Sequence, residues 1–418
     1  MAFSPSLLYR TGSGTPWDAR SVRLRNEFSV RFRGVPSVWC SAPGRTELGG
    51  NHTDHNRGRV LAAAVQVDAL AAAKANGTDV VTVYSIGYDR PFTVGLDSLL
   101  SLPGEAGNSG ALIRGVIARL TERGYAAGGF DAVVHSDVAP GSGLSSSASF
   151  EVLVGSLVSW LFHRGSIPAG VLAEAGQYAE NHYFGKPCGL MDQLASASGG
   201  TSHINFADPE SPWSEQVVLD PEQAGYALCV VQTGGSHADL TAEYASIPSE
   251  MRAAARCCGL PDCRDLSREL LMAEARRVRA EAGDRAFLRA LHFIDENERV
   301  LLQVAALKAG EFAEFLRLVN DSGNSSAMLL QNCWVPLRPL EQGVALALAL
   351  TRDMLRGDGA CRVHGGGFAG TIQAYVPSDL LQRYRREMES FYGEGCVLPL
   401  AVRPQGAVAL DLSGFASA

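Results

Sequence analysis

An apolar, strand-like run from Phe130 to Val138 leads into Ala139-Pro140-Gly141-Ser142-Gly143-Leu144-Ser145-Ser146-Ser147-Ala148-Ser149. A helical pattern follows at once, with Leu144, Ala148, Val152 and Leu153 on one face. This strand–loop–helix transition constrains the chain more than any other stretch. Glycines let the backbone approach a guest, and a new helix offers unpaired N–H groups. Together they make an anion site suited to a polyphosphate. The hydroxyls of Ser145, Ser146 and Ser147 add donors and a candidate Mg²⁺ ligand. No Gly-Lys-Ser/Thr closes the loop, so it is not a Walker A motif, and its glycine spacing is not a dinucleotide fingerprint. Taken alone, the stretch also suits a flexible helix cap, the weaker of the two readings.

Two further loops concentrate unusual residues. Val38 to Ala42 reads as a short strand ending at Pro43-Gly44, followed by Arg45-Thr46-Glu47-Leu48-Gly49-Gly50-Asn51-His52-Thr53-Asp54-His55-Asn56. Such polar density between apolar segments suits a ligand site, although Asp and Asn also serve plain turns. Arg362-Val363-His364-Gly365-Gly366-Gly367-Phe368-Ala369-Gly370 lies between two strand-like runs. Three consecutive glycines there imply a close approach to the backbone or positive φ. Pro168 opens a helix running to about Tyr183, with Glu180 near its end, and Asp192 begins a short helix after Gly185 to Gly189. Asp192 suits a helix N-terminus for dipole reasons alone, and Glu180 suits a surface.

A phosphate loop with separate carboxylates and an arginine suggests phosphoryl transfer, which needs positioning and electrostatics more than covalent chemistry. In that reading Ser147 and Glu180 hold Mg²⁺, and Arg45 and Asp192 flank the acceptor hydroxyl. His52 and Asp54 are placed to bind vicinal hydroxyls of a sugar.

The chain has 418 residues, 46% hydrophobic and 19% charged, enough for two or three domains with a normal core. A net charge of −8 without a basic stripe argues against nucleic-acid binding. The nine cysteines show no paired spacing, so reduced thiols are expected rather than zinc or disulfides. No apolar stretch has signal-peptide or membrane-spanning length, and a cytoplasmic location with no membrane partner is expected. Residues 1 to about 25 show no periodicity, and His237 to about Leu355 reads as mostly helical. The domain boundary is expected within 201–225, dividing the chain into lobes 1–210 and 211–418.

Gly44-Arg45 through His52-Thr53-Asp54, Pro140 through Ser149, and Gly365-Gly366-Gly367-Phe368 resemble the three signature motifs of the GHMP small-molecule kinases. The first resembles the galactokinase signature in particular, and the likeness runs from about Phe28 to Leu412. The resemblance implies a two-lobed α+β fold, its mixed sheets packed by helices, with the active site in the cleft between lobes. It implies ATP-dependent phosphorylation of galactose at the C1 hydroxyl, with a small sugar as the partner and a monomer or weak homo-oligomer as the assembly. By matched position Asp192 is the catalytic carboxylate and Arg45 its partner, while Ser147 and Glu180 hold Mg²⁺. Gly141, Ser142, Gly143, Leu144, Ser145, Ser146 and Ser147 hold the phosphates. Asn51, His52, Asp54, Gly189 and Tyr244 match sugar-contacting positions.

The family usually has Glu where Asn51 stands, contacting the sugar's C6 hydroxyl. A neutral amide no longer repels a C6 carboxylate, so galacturonate joins galactose as a candidate, with N-acetylgalactosamine a further one. Asn108-Ser109-Gly110 stands where an adenine-side aromatic is common. A non-catalytic sugar and ATP sensor is the alternative on the same scaffold, but such sensors lose part of the serine loop, which is whole here. A mevalonate- or homoserine-type kinase fits His52-Thr53-Asp54 poorly.

Overall fold

The computed structural model describes residues 3–9, 16–209, 211–235 and 240–411. His237 and Leu412, at the limits of two sequence readings, lie outside them. The first sheet holds β1 (Val38–Gly49), β2 (Arg59–Ala75), β3 (Val80–Ser85), β4 (Phe92–Gly95), β5 (Phe130–Ser136), β6 (Thr201–Asn205) and β7 (Trp213–Val217). The second holds β8 (Tyr226–Gln232), β9 (Ala360–Val363), β10 (Thr371–Pro377) and β11 (Val397–Leu400), in the order β11-β8-β10-β9. The last strand, β12 (Val408–Ala409), returns to the first sheet, giving β12-β1-β2-β5-β3-β4 with β6 and β7 on the flank of β2. β3 and β5 run parallel and the other pairings are antiparallel, so the fold is α+β with a mixed sheet. β7, beyond residue 210, extends the first sheet through β6, and the C-terminal β12 rejoins it at β1.

Side chains of β1, β2 and β5 alternate between two buried faces. Cys40, Ala71 and Val134 face helices Ser109–Glu122, Ser146–Phe162, Ala169–Ala179 and Met191–Ser198. Trp39, Leu70, Ala72 and Val133 face the helix Trp17–Phe32. That helix was not legible in the sequence, and its buried stripe explains why. Trp17, Arg20, Leu24 and Phe28 follow helical spacing, but the charged Arg20 sits inside it. Between the sheets, Leu61, Ala63 and Val65 of β2 and Leu228 and Val230 of β8 pack with helices Asp284–Ala309 and Phe312–Ser325. Leu144 of the phosphate loop is anchored in this same inter-lobe core.

Arg20 belongs to a buried ion network at Asp68, whose carboxylate binds side chains from four distant segments. Arg20 Nη1 donates to Oδ1 at 2.6 Å, and Tyr9 Oη and Arg403 Nη1 donate to Oδ2 at 2.6 and 3.1 Å, with the Ser41 hydroxyl on the same oxygen. Burial alone would raise the Asp68 pKa; the two arginines outweigh it and hold the group below the ordinary carboxylate value. Asp68→Ala takes the shared carboxylate from both buried guanidiniums, leaving Arg20 Nη1 facing Asp137 at 3.2 Å. It should destabilise the first lobe by roughly 3–5 kcal/mol, read from urea unfolding followed by tryptophan fluorescence.

Candidate active site

β1 runs on to Gly49, past the short strand that Pro43-Gly44 was expected to end, because two bulges absorb the irregularity. The first, between Pro43 and Arg45, re-aims the strand toward the phosphate loop. A Cβ on Gly44 would lie 2.9 Å from the Leu144 carbonyl, and Arg45 N–H donates to that carbonyl at 3.1 Å. The guanidinium then does three things at once. Nε and Nη2 grip Asp192 Oδ1 and Oδ2 at 2.6 and 2.7 Å, and Nη1 donates to Gly143 O at 2.5 Å. Arg45 and Asp192, 147 residues apart, thus form a bidentate pair at the phosphate loop. The Asp192 side chain stays 27% exposed, open to the cleft. Its surroundings would raise its pKa by desolvation, but Arg45 and the Ser145 hydroxyl outweigh this and keep it below the ordinary value.

Ser145 is the residue before the helix Ser146–Phe162, in the left-handed region at φ 62°. Its hydroxyl donates to Asp192 Oδ2 and not to the helix. The first-turn amides beside Gly141 (φ 76°) and Gly143 (φ 74°) therefore have no side-chain cap, the condition an anion site needs. Not all seven loop residues face that site: Leu144 is a core anchor, and Ser142 Oγ donates to Ala139 O at 2.6 Å.

The helix carrying Glu180 ends in a π-turn, Glu180–Phe184, which keeps Glu180 2% exposed rather than on a surface. Ser147 Oγ and Lys186 Nζ each donate to its Oε1 at 3.0 Å. Gln193 Nε2 ties Oε2 at 3.0 Å to buried Glu151 at 2.9 Å. An ammonium already lying on the carboxylate, beside a hydroxyl, marks a place where an oxygen-seeking cation fits. Burial, followed by the charge of Glu180, pushes the Glu151 pKa well up.

The sugar-facing candidates converge on the third loop. Asn51 Nδ2, His52 Nε2 and Tyr244 Oη donate to three successive carbonyls, Gly365 at 2.7 Å, Gly366 at 2.9 Å and Gly367 at 3.1 Å. The glycines there accommodate protein: a Cβ on Gly366 would meet the Tyr244 ring at 2.5 Å, and one on Gly367 the Asn332 carbonyl at 2.3 Å. Burial first, then the neighbouring His55, holds His52 neutral with its pKa lowered to about 3. Gly189 lies against Asp54, where a Cβ would sit 1.9 Å from Oδ2.

Asn51 is not where the sequence reading put it. It is fully buried, and its amide also donates to Glu47 Oε1 at 3.0 Å while accepting from Asn332 at 2.9 Å and Ser326 at 3.2 Å. With both N–H groups and both lone pairs engaged inside the protein, the side chain has nothing left for a sugar C6 group. Asn108 caps the helix Ser109–Glu122, accepting from Gly110 N–H at 2.8 Å.

Sequence reasoning also missed Glu296, a mid-helix residue with no local signal. Its Oε1 accepts from the N–H groups of Gly50 and Asn51 at 3.0 and 3.3 Å and from Ser322 Oγ at 2.6 Å, and Arg299 binds Oε2. The second lobe thus holds the backbone of the first loop.

An uncapped helix start, an Arg–Asp pair and a glycine loop from the second lobe come together here, and similarity to known proteins gives the class, a GHMP kinase. The GHMP kinases N-terminal domain model matches residues 111–200, and the galactokinase galactose-binding signature matches 26–75. A galactokinase of Actinobacillus pleuropneumoniae serotype 5b (strain L20) is 32% identical over 370 residues, 88% of this chain and 92% of its own length. Lactococcus lactis galactokinase complexed with galactose superposes with a TM-score of 0.79 at 25% identity, covering 93% of this chain and 99% of its own. Methanococcus jannaschii mevalonate kinase shares the fold at a TM-score of 0.62 and 14% identity, over 88% of this chain and 99% of its own. The chain belongs to the galactokinase family.

Burial would raise the Glu296 pKa, but Arg299, His292 and Arg362 bring it down to about 2. A carboxyl depressed on folding contributes stability that is complete above its unfolded value and lost as pH falls through the folded one. The contribution should therefore fade between about pH 4.5 and pH 2. Glu296→Gln should lower stability near neutral pH by roughly 3 kcal/mol and flatten that acid slope, measured by urea titration at several pH values.

Proposed function

We propose that the chain transfers the terminal phosphoryl group of ATP to the C1 hydroxyl of galactose. The observation that carries this reading is the bidentate Arg45–Asp192 pair, open to the cleft and tied through Gly143 to the phosphate loop. The relative solved with galactose and the matched galactose-binding signature support the same substrate. Nothing at Asn51 favours a C6-modified sugar, because its amide is spent within the protein.

The first-turn amides after Ser145 bind and orient the phosphates, and Arg45 places positive charge where they meet the sugar. Asp192 receives the hydrogen bond of the C1 hydroxyl and fixes its line of attack. Its low pKa makes it a weak base, so the proton passes to it late, as the alcohol's bond to the phosphoryl group forms. Asp54, Tyr244 and His52 line the sugar side. Ser147 and Glu180 are the oxygen donors that would hold Mg²⁺, which supplies charge neutralisation to the phosphates.

An ADP-release assay across galactose, galacturonate, N-acetylgalactosamine and arabinose tests the reading, with galactose expected to give the highest kcat/KM. Asp192→Asn should lower kcat by roughly 100-fold or more while galactose still binds; binding without turnover in the unaltered protein would favour a sensor. Since Asp192 is ionised and His52 neutral well below neutrality, kcat should show no acid limb from either between about pH 5 and pH 8. Gly189→Ala displaces Asp54, so it should raise the galactose KM roughly tenfold and leave the ATP KM alone.

A further inference from the structure

Beneath the phosphate loop, four buried side chains form a hydrogen-bonded row. Gln373 Nε2 donates to the Glu47 carbonyl at 2.9 Å and to Thr46 Oγ1 at 2.7 Å. A carbonyl only accepts, so the amide nitrogen must face this way and Thr46 Oγ1 is an acceptor. The single proton of Thr46 is then free for His364 Nε2, 2.9 Å away. With Nε2 accepting, a neutral imidazole carries its proton on Nδ1, which donates to Thr371 Oγ1 at 3.2 Å.

The row links the three loops. Thr46 follows Arg45 on β1, while His364 and Thr371 flank the triple glycine. A Cβ on Gly143 would lie 2.4 Å from Thr371 Oγ1 and 2.7 Å from His364 Nδ1, so the phosphate loop rests directly on the pair. The Gly143 carbonyl is the one that Arg45 holds at 2.5 Å. His364 is 2% exposed and acts through its neighbours. Its burial, with the charges of Arg45 and Arg362 close by, opposes a second proton.

We propose that His364 is a positioning residue for the transfer: a neutral Nδ1–H imidazole that sets the spacing between the Arg45-bearing strand and Gly143 of the phosphate loop. It thereby sets where the terminal phosphate meets the guanidinium. The proposal rests on the kinase reading above, and two kinds of measurement keep the two apart. Imidazole ¹⁵N NMR of the unaltered protein should report one neutral tautomer, with the proton on Nδ1. An Nε2–H tautomer or an imidazolium at neutral pH would overturn the proposal whether or not the protein turns over galactose.

Thr46→Val removes the hydroxyl with little change of shape. It should lower kcat/KM for ATP roughly 10-fold while the galactose KM stays within about 2-fold. His364→Ala should cost roughly 100-fold in the same quantity, and His364→Asn, whose amide still reaches Thr371, should recover part of it. A purely structural role would scale every kinetic parameter with the amount of folded protein and would not single out the nucleotide. Unchanged ATP parameters in Thr46→Val would overturn the proposal even where His364→Ala fails to fold. If no sugar is phosphorylated at all, the kinase reading fails, and calorimetric binding of an ATP analogue to Thr46→Val still judges His364.

Discussion

A guanidinium carries five N–H groups in one plane, so Arg45 can face a carboxylate edge-on and still reach a carbonyl. The rest of the site depends on that geometry. Two of its groups fix both oxygens of Asp192, and a third fixes Gly143. One side chain therefore sets the position of the acceptor's partner relative to the phosphate loop. A lysine would supply the charge without the plane.

The lobes are joined by more than the apolar core between the sheets. Glu296 holds the backbone of Gly50 and Asn51 from the second lobe, and the Gly365–Gly367 carbonyls are held by Asn51, His52 and Tyr244. These contacts give the first and third loops one shared geometry. Charge burial runs through the molecule in two modes. Asp68, Asp192 and Glu296 stay ionised because arginines face them, whereas Glu151, buried beside the Glu180 carboxylate, is driven toward its protonated form. The difference lies in the partners, since Asp68, Glu151 and Glu296 are all fully buried.

Much of the site was legible because its signals are local. Glycine and serine spacing announces a strand–loop–helix anion site, and each of the three loops lies within about a dozen residues of sequence. The misreadings have physical causes of another kind. A charged Arg20 inside the buried stripe hid the helix Trp17–Phe32, since its carboxylate partner lies 48 residues away. Asn51 looked like a sugar contact because its neighbours do, but Ser326 and Asn332 consume its acceptor lone pairs from 275 and 281 residues away.

The amino-acid sequence by itself determined the phosphate loop, the three glycine- and hydroxyl-rich motifs, and the α+β, two-lobed family. Backbone permissiveness and hydrogen-bond donors are properties of the residues themselves, readable without coordinates. Only the tertiary structure decided which polar groups remain free to work. That depends on hydrogen-bond saturation among residues hundreds of positions apart: it turns Asn51 inward, leaves Asp192 open beside Arg45, and places His364 under the loop it supports.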